Sequence, residues 1–228
     1  MIVYGKQILF YVLQKCPDRL EEIYLAKEID KKLFSSLCSS GVKILRIDTK
    51  KAQAMAHSGN HQGFLAKIKP IESVEKKEIL SLKTLLVLCG ISDVGNIGSI
   101  FRSAYALGVE GIIIGGTLSK NAIEGGIRAS SGAMLCVPFY ITSNLLELIH
   151  ELKTKNKTCY GADMGGEEVL SIAPSDEWAL FLGSEGEGLS GKIKQKMDKI
   201  ISIKMKNEFN SLNVGVATGI LVYRLKNG

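Results

Sequence analysis

The sequence has no apolar run that approaches the ~20 residues a membrane-spanning helix needs, so no span is expected. Met1 to Phe10 carry one Lys, and no small-residue cleavage site follows a long apolar core, so no secretory leader is expected either. The five cysteines (Cys16, Cys38, Cys89, Cys136 and Cys159) are scattered, and no two form a C-x-x-C pair. That argues against a zinc site or a disulfide framework and predicts reduced, mostly buried thiols in a cytoplasmic protein. P-loop, G-x-S-x-G and H-E-x-x-H signatures are missing, as are internal repeats and low-complexity tracts. There are only three histidines. His57 and His61 flank Ser58-Gly59-Asn60, but no Cys, Asp or Glu lies close enough in sequence to complete a metal site. No metal is expected, and a loop or RNA-contact role suits them better. His150, at the end of a helical pattern, is most simply a partner for the helix dipole.

What is present is basic charge, unevenly placed. Residues 1–70 hold 12 Lys/Arg against 6 Asp/Glu, whereas residues 71–228 hold 17 of each. The whole net charge of +6 therefore sits in the first third. A basic segment beside a neutral one fits contact with a polyanion such as nucleic acid, although a solvated basic surface explains the charge equally well.

The hydrophobic pattern divides the chain in two. In the first third a helical pattern over 5–15 precedes short strands at 22–25 and 42–47, with a helix over 30–39 between them and another strand at 63–69. This predicts a small α/β domain over residues 1–70. A polar, charged stretch follows, and residues 71–83 are taken as a linker. From residue 84 the pattern changes. Leu85-Leu86-Val87-Leu88 is apolar throughout, as in a parallel strand covered on both faces. Helices are predicted over 95–107, 144–154, 190–197 and 211–226, and strands at 111–114, 158–162, 179–182 and 200–203. The alternation predicts a second α/β domain over 84–228 with a mostly parallel sheet.

Three segments put polar side chains where a strand passes into a helix, the place where open α/β sheets gather ligands. In the first, Asn96 reads as an N-cap, and Arg102 lies beside the apolar stripe, either solvated or free to grip a phosphate. In the second, Gly186 to Gly191 match G-x-G-x-x-G. Glu185 and Glu187 there would repel a pyrophosphate, so a nicotinamide-dependent enzyme is a poor reading. A ligand without phosphate that carries positive charge suits the loop better. In the third, Ser211 reads as the cap of the last helix and Asn213 falls in its first turn.

In this order and spacing the segments resemble the SpoU (TrmH-like) ribose 2'-O-methyltransferases of the SPOUT superfamily. The resemblance rests on Asp93-Val94-Gly95-Asn96-Ile97-Gly98 with Arg102 and Ala104, on Ser130-Ser131-Gly132-Ala133 with Val137-Pro138, on Gly183, Glu185, Gly186 and Gly188, and on Ile203-Lys204-Met205 with Ser211-Leu212-Asn213-Val214. It covers about residues 84–226. Val94, Lys204 and Gly215 depart from the family pattern, which has Pro, Pro and Ser there. The first third, with Tyr4-Gly5 and His61-Gln62-Gly63-Phe64-Leu65-Ala66, is similar to the ribosomal-protein-like substrate-binding domain of the branch that methylates a guanosine of 23S rRNA.

The resemblance implies S-adenosylmethionine as cofactor, a trefoil knot, a homodimer, and RNA (23S rRNA or a large-subunit assembly intermediate) as partner. It implies catalytic roles for Arg102, Asn96, Glu185, Ser211 and Asn213, and cofactor contacts at Gly183, Gly186, Ile203, Met205 and Leu212. The alternatives are the same chemistry on tRNA, or a non-catalytic RNA-binding or ribosome-assembly protein that keeps the fold.

Overall fold

Two kinds of strand give two sheets. The computed structural model describes residues 1–207 and 211–228. The first third runs β1 (Ile2–Tyr4), α1 (Lys6–Lys15), β2 (Leu20–Leu25), α2 (Lys31–Cys38), β3 (Lys43–Arg46), α3 (Thr49–Met55) and β4 (Phe64–Ile68). Its strands lie in the order β1-β4-β2-β3, with β2 and β3 parallel and the β4 pairings antiparallel. Alternation along β4 sends Phe64, Ala66 and Ile68 toward α1 and α2, while Leu65 meets Ala52 of α3 on the opposite face.

The remainder runs α4 (Lys76–Ser81), β5 (Thr84–Cys89), α5 (Val94–Ala106), β6 (Gly111–Gly115), α6 (Lys120–Ala129), β7 (Phe139–Thr142), α7 (Leu145–Thr154), β8 (Thr158–Glu168), β9 (Trp178–Gly183), α8 (Gly191–Lys194), β10 (Lys199–Ser202) and α9 (Val214–Asn227). The six strands pair in parallel in the order β10-β8-β9-β5-β6-β7. The uninterrupted apolar run of β5 follows from burial on both faces. Leu86 and Leu88 pack with α5 and α9, while Leu85 and Val87 pack with α4 and α7.

Several elements differ from expectation. Helix α4 lies inside the stretch read as a linker, α8 ends at Lys194, and β8 extends to Glu168. β1, α3, α6 and β7 were not expected from the sequence. His150 sits inside α7, exposed and a turn short of its end, so it is no dipole partner. Among the cysteines only Cys89 and Cys159 are buried; Cys38 is exposed.

The two sheets share one continuous apolar cluster running from Val3 and Phe64 to Phe101 and Leu225. At their junction the Tyr11 ring meets Tyr105 edge to face at 6.2 Å, and the Arg128 guanidinium lies 4.7 Å over the Tyr4 ring. Gly132, at φ +95°, leaves room for the Tyr11 ring; a Cβ there would lie 2.6 Å from it. The Ser130–Ala133 segment therefore serves the junction between the sheets.

Candidate active site

Parallel register brings the three polar segments together. Cys89 at the end of β5 pairs with Gly183 at the end of β9, so the loops that follow leave the sheet side by side. Asp93 caps α5, its Oδ1 accepting from the Asn96 N–H at 2.7 Å. Asn96 is thus not the cap expected of it. Its side chain is buried and free to turn toward β9. Its Nδ2 donates to Glu185 Oε1 at 2.9 Å, and its Oδ1 accepts from Asn213 Nδ2 at 2.7 Å. Asn213 Nδ2 also lies 3.3 Å from Glu185 Oε1. Asn213 Oδ1 accepts from Gly215 and Val216 N–H at 3.0 and 3.4 Å, so Asn213, not Ser211, caps α9. One carboxylate and two amides form a closed set of hydrogen bonds across three segments that are far apart in sequence.

This set borders a cleft of about 740 Å³ at the C-terminal ends of β8, β9 and β10. Gly183, Gly186, Ile203, Met205 and Leu212 all line it, as do Glu185, Ser211 and Asn213. Its floor is apolar, formed by Leu182, Ile201, Val214, Ala217 and Leu221. Gly183 is sterically obligatory, because a Cβ there would lie 2.1 Å from the Gly188 carbonyl carbon. Gly186 and Gly188 take φ values of +92° and +66°, which the tight return of the loop onto Ser184 requires. The cleft exposes loop backbone above an apolar floor. That suits a flat aromatic group ringed by hydrogen-bonding functions, as an adenosine would be.

Arg102 is not part of this set. It is exposed on α5 and does not line the cleft. Six residues of helix place it about 9 Å along the axis from Asn96 and about 120° around it. On α5, Gly98 faces α6, Tyr105 faces Tyr11, and Ser99 and Ser103 face α9. Arg102 projects between these faces, into solvent. Among the described residues it forms no ion pair. Within one chain Asn96 and Glu185 bond one another and Asn213, and not this arginine.

The three departures from the family pattern have local readings. Val94 fills the first helical position of α5, where proline is also tolerated, and packs against Gly125. At residue 215 a Cβ would lie 2.4 Å from Ser99 Oγ, so the missing side chain makes room for Ser99. Nothing in the structure explains Lys204.

Two cleft residues escaped the sequence reading, Asp163 of β8 and Lys194 of α8, whose side chains form an ion pair. A polar residue just past the buried end of a parallel strand was the available signal for Asp163. His61 is buried, and its Nδ1 accepts from the Gly63 N–H at 3.0 Å, which gives it a loop-holding role. Among the described residues no group of three or more His, Cys, Asp or Glu is placed to hold a metal, and no helix is long and apolar enough to cross a membrane.

A parallel sheet with a glycine-rimmed cleft at its strand ends, bordered by a Glu–Asn–Asn set, defines the class: an α/β fold of the SpoU methyltransferase type. Residues 83–223 match the SpoU rRNA Methylase family, and residues 2–74 match a family described as RNA 2'-O ribose methyltransferase substrate binding. The chain belongs to the SpoU rRNA methylase family. It is 30% identical over 234 residues to the 23S rRNA (guanosine-2'-O-)-methyltransferase RlmB of Salmonella typhimurium, covering 97% of this chain and 96% of that protein. Against the RlmB of Escherichia coli it is 29% identical over 233 residues, with the same coverage. Its fold is similar to that of AviRb, a SpoU methyltransferase from Streptomyces viridochromogenes solved in complex with the cofactor AdoMet. That match has a TM-score of 0.80 at 19% identity and covers 99% of this chain and 88% of that one.

Proposed function

We propose that the protein transfers a methyl group from S-adenosylmethionine to a ribose 2'-hydroxyl of RNA, and that the acceptor is a guanosine of 23S rRNA. The Asn96–Glu185–Asn213 set at the mouth of the glycine-rimmed cleft carries this reading. The guanosine and the 23S rRNA are named for the RlmB relatives, which match nearly end to end. The basic first third supports a division of labour: residues 1–70 grip RNA, 71–83 connect, and 84–228 carry the chemistry. Phosphate contacts by that third should weaken as salt rises.

In this reading the loop backbone at Gly183 and Gly186, with Ile203, Met205 and Leu212, holds the adenosine part of the donor. When bound, the donor supplies an electrophilic methyl on a sulfonium. Glu185 and Asn213 fix the cleft mouth, and Ser211 adds a hydroxyl there. Arg102 binds the phosphate beside the target ribose and orients its hydroxyl for in-line attack. Arg102 thus orients the hydroxyl, and the substrate phosphate helps take the hydroxyl proton.

Arg102 stands outside the cleft of its own chain, and a homodimer supplies the missing geometry. On α9, Val216 (52% exposed), Ile220 (40%) and Tyr223 (62%) form an apolar stripe facing away from the sheet. A second copy seated there would bring the Arg102 surface of one chain toward the cleft of the other. The trefoil threading implied by the family resemblance is part of the same proposal. It is supported by residues 183–188, 201–203 and 211–214 all lining one cleft. Free thiols and an RNA substrate fit a cytoplasmic setting.

Arg102→Ala tests the reading. Since Arg102 is exposed, its loss should leave the melting temperature unchanged and lower kcat far more than it raises KM. A folded variant with near-normal kcat overturns the assignment.

A further inference from the structure

A second hollow, sharing no residue with the cleft, lies in the first third of the chain. It encloses about 450 Å³ and is lined by Gln53 of α3 and by residues 58–63, in the loop between α3 and β4. Every side chain on it can form hydrogen bonds, and none is acidic. Of the five non-glycine residues with positive φ among the described residues, three fall in this loop: His57, Ser58 and Gln62. Left-handed backbone of this kind gathers at ligand-holding loops.

Two hydrogen bonds orient the polar groups of the loop. His61 is 8% exposed, and its Nδ1 accepts from the Gly63 N–H at 3.0 Å. The imidazole hydrogen therefore sits on Nε2, which makes that atom a donor. Gln62 Oε1 accepts from the Lys6 N–H at 3.3 Å, in the first turn of α1, where backbone donors have no partner within the helix. The amino group of Gln62 is thus a second oriented donor. Lys6 adjoins Gln62, and the Lys27 side chain lies along Gly63, where a Cβ would come within 2.5 Å of its Cγ. Gly59 packs on the Tyr4 hydroxyl, and the Arg128 guanidinium of α6 covers the Tyr4 ring, so the hollow adjoins the part of the chain that carries the cleft.

Oriented N–H donors flanked by lysines select a group rich in acceptors. An unpaired base can present its whole edge to such a loop, whereas a base in an RNA duplex cannot. We propose that this hollow takes an unpaired keto base, uracil or guanine, from the RNA that carries the acceptor ribose. This inference rests on the reading of the first third as the RNA-gripping part. Uracil O4 and guanine O6 accept from His61 and Gln62, whereas the amino groups of cytosine and adenine would set donor against donor. Phosphates on either side of the base then fall to Lys6 and Lys27.

Fluorescence anisotropy of the full chain with labelled oligouridine and oligocytidine of equal length, at one salt concentration, tests this. The two share phosphates and sugars and differ at the base edge. The native protein should bind oligouridine about tenfold more tightly. Gln62→Glu keeps the oxygen that Lys6 holds but replaces the donor with an acceptor, so the preference should vanish or reverse. His61→Ala should lose it as well. Equal binding by the native protein, or a preference for oligocytidine, overturns the proposal, and so does an undiminished preference in Gln62→Glu. If His61→Ala does not fold, Gln62→Glu decides alone, because that side chain is exposed. Binding of neither oligonucleotide would remove the RNA reading of the first third itself, whereas equal binding would remove only the base contact.

Discussion

Asn213 performs two tasks with one side chain. Its Oδ1 caps α9, and its Nδ2 joins Asn96 and Glu185. The tasks can be separated. Asn213→Asp keeps the capping oxygen but replaces the donor with a second carboxylate oxygen beside Glu185. Its melting temperature should stay near the native value, while kcat/KM falls by about tenfold or more. Asn213→Ala loses both and should also lose about 1 kcal/mol of stability. Equal losses of stability in the two variants would contradict the division. The sequence located this set but misassigned its caps. Asp93 and Asn96 are equally good capping types, and so are Ser211 and Asn213, so type alone cannot choose between neighbours. Asp163 stayed hidden because β8, outside the three motif segments, brings it to the cleft, and Lys194 because it lies just past the loop that ends at Gly191.

Helices pack closely where glycine permits. Gly98 of α5 sits against α6, where a Cβ would lie 2.3 Å from Ala129 Cβ and 2.8 Å from its backbone. Gly98→Ala should therefore push α5 from α6 and lower the melting temperature, although alanine favours helices. A raised melting temperature would show that this contact yields easily. Helix α6 was unreadable for a related reason. Its interior holds Gly125 and Gly126, which look like a turn, yet side chains there would strike Val94 and Met134. β5, by contrast, was plain from its unbroken apolar run, and α5 from its spacing. β1, three residues long, is too short to show alternation. Ion pairing adds a pH dependence beside β9. Lys157 is buried and donates to Glu177 at 2.8 Å, and this hydrogen bond holds the Glu177 carboxyl below its ordinary value of 4.5. The lowered value means that the pair stabilises the fold above the ordinary value and is lost as pH falls through the folded value. Glu177→Gln should thus melt lower than the native protein at neutral pH, and the two should converge in acid. A constant gap across that range would contradict this.

At the scale of the whole molecule, the division into two sheets was legible because charge and strand pattern both change near residue 70. Their junction was not, since Tyr4, Tyr11, Tyr105 and Arg128 meet only after both sheets have formed. The apolar stripe on α9 was equally hidden, because its exposure depends on which face the sheet covers. If a second copy seats there, Tyr223→Glu should sediment as a folded monomer with native cofactor affinity and little transfer activity. A dimeric Tyr223→Glu would place the interface elsewhere. The central claim, ribose methylation of RNA, is tested most directly by supplying labelled S-adenosylmethionine and total RNA from cells that lack the protein, then identifying the labelled nucleoside. The account predicts 2'-O-methylguanosine in 23S rRNA. Label on a base, or no transfer to any RNA or ribosomal particle, would contradict it.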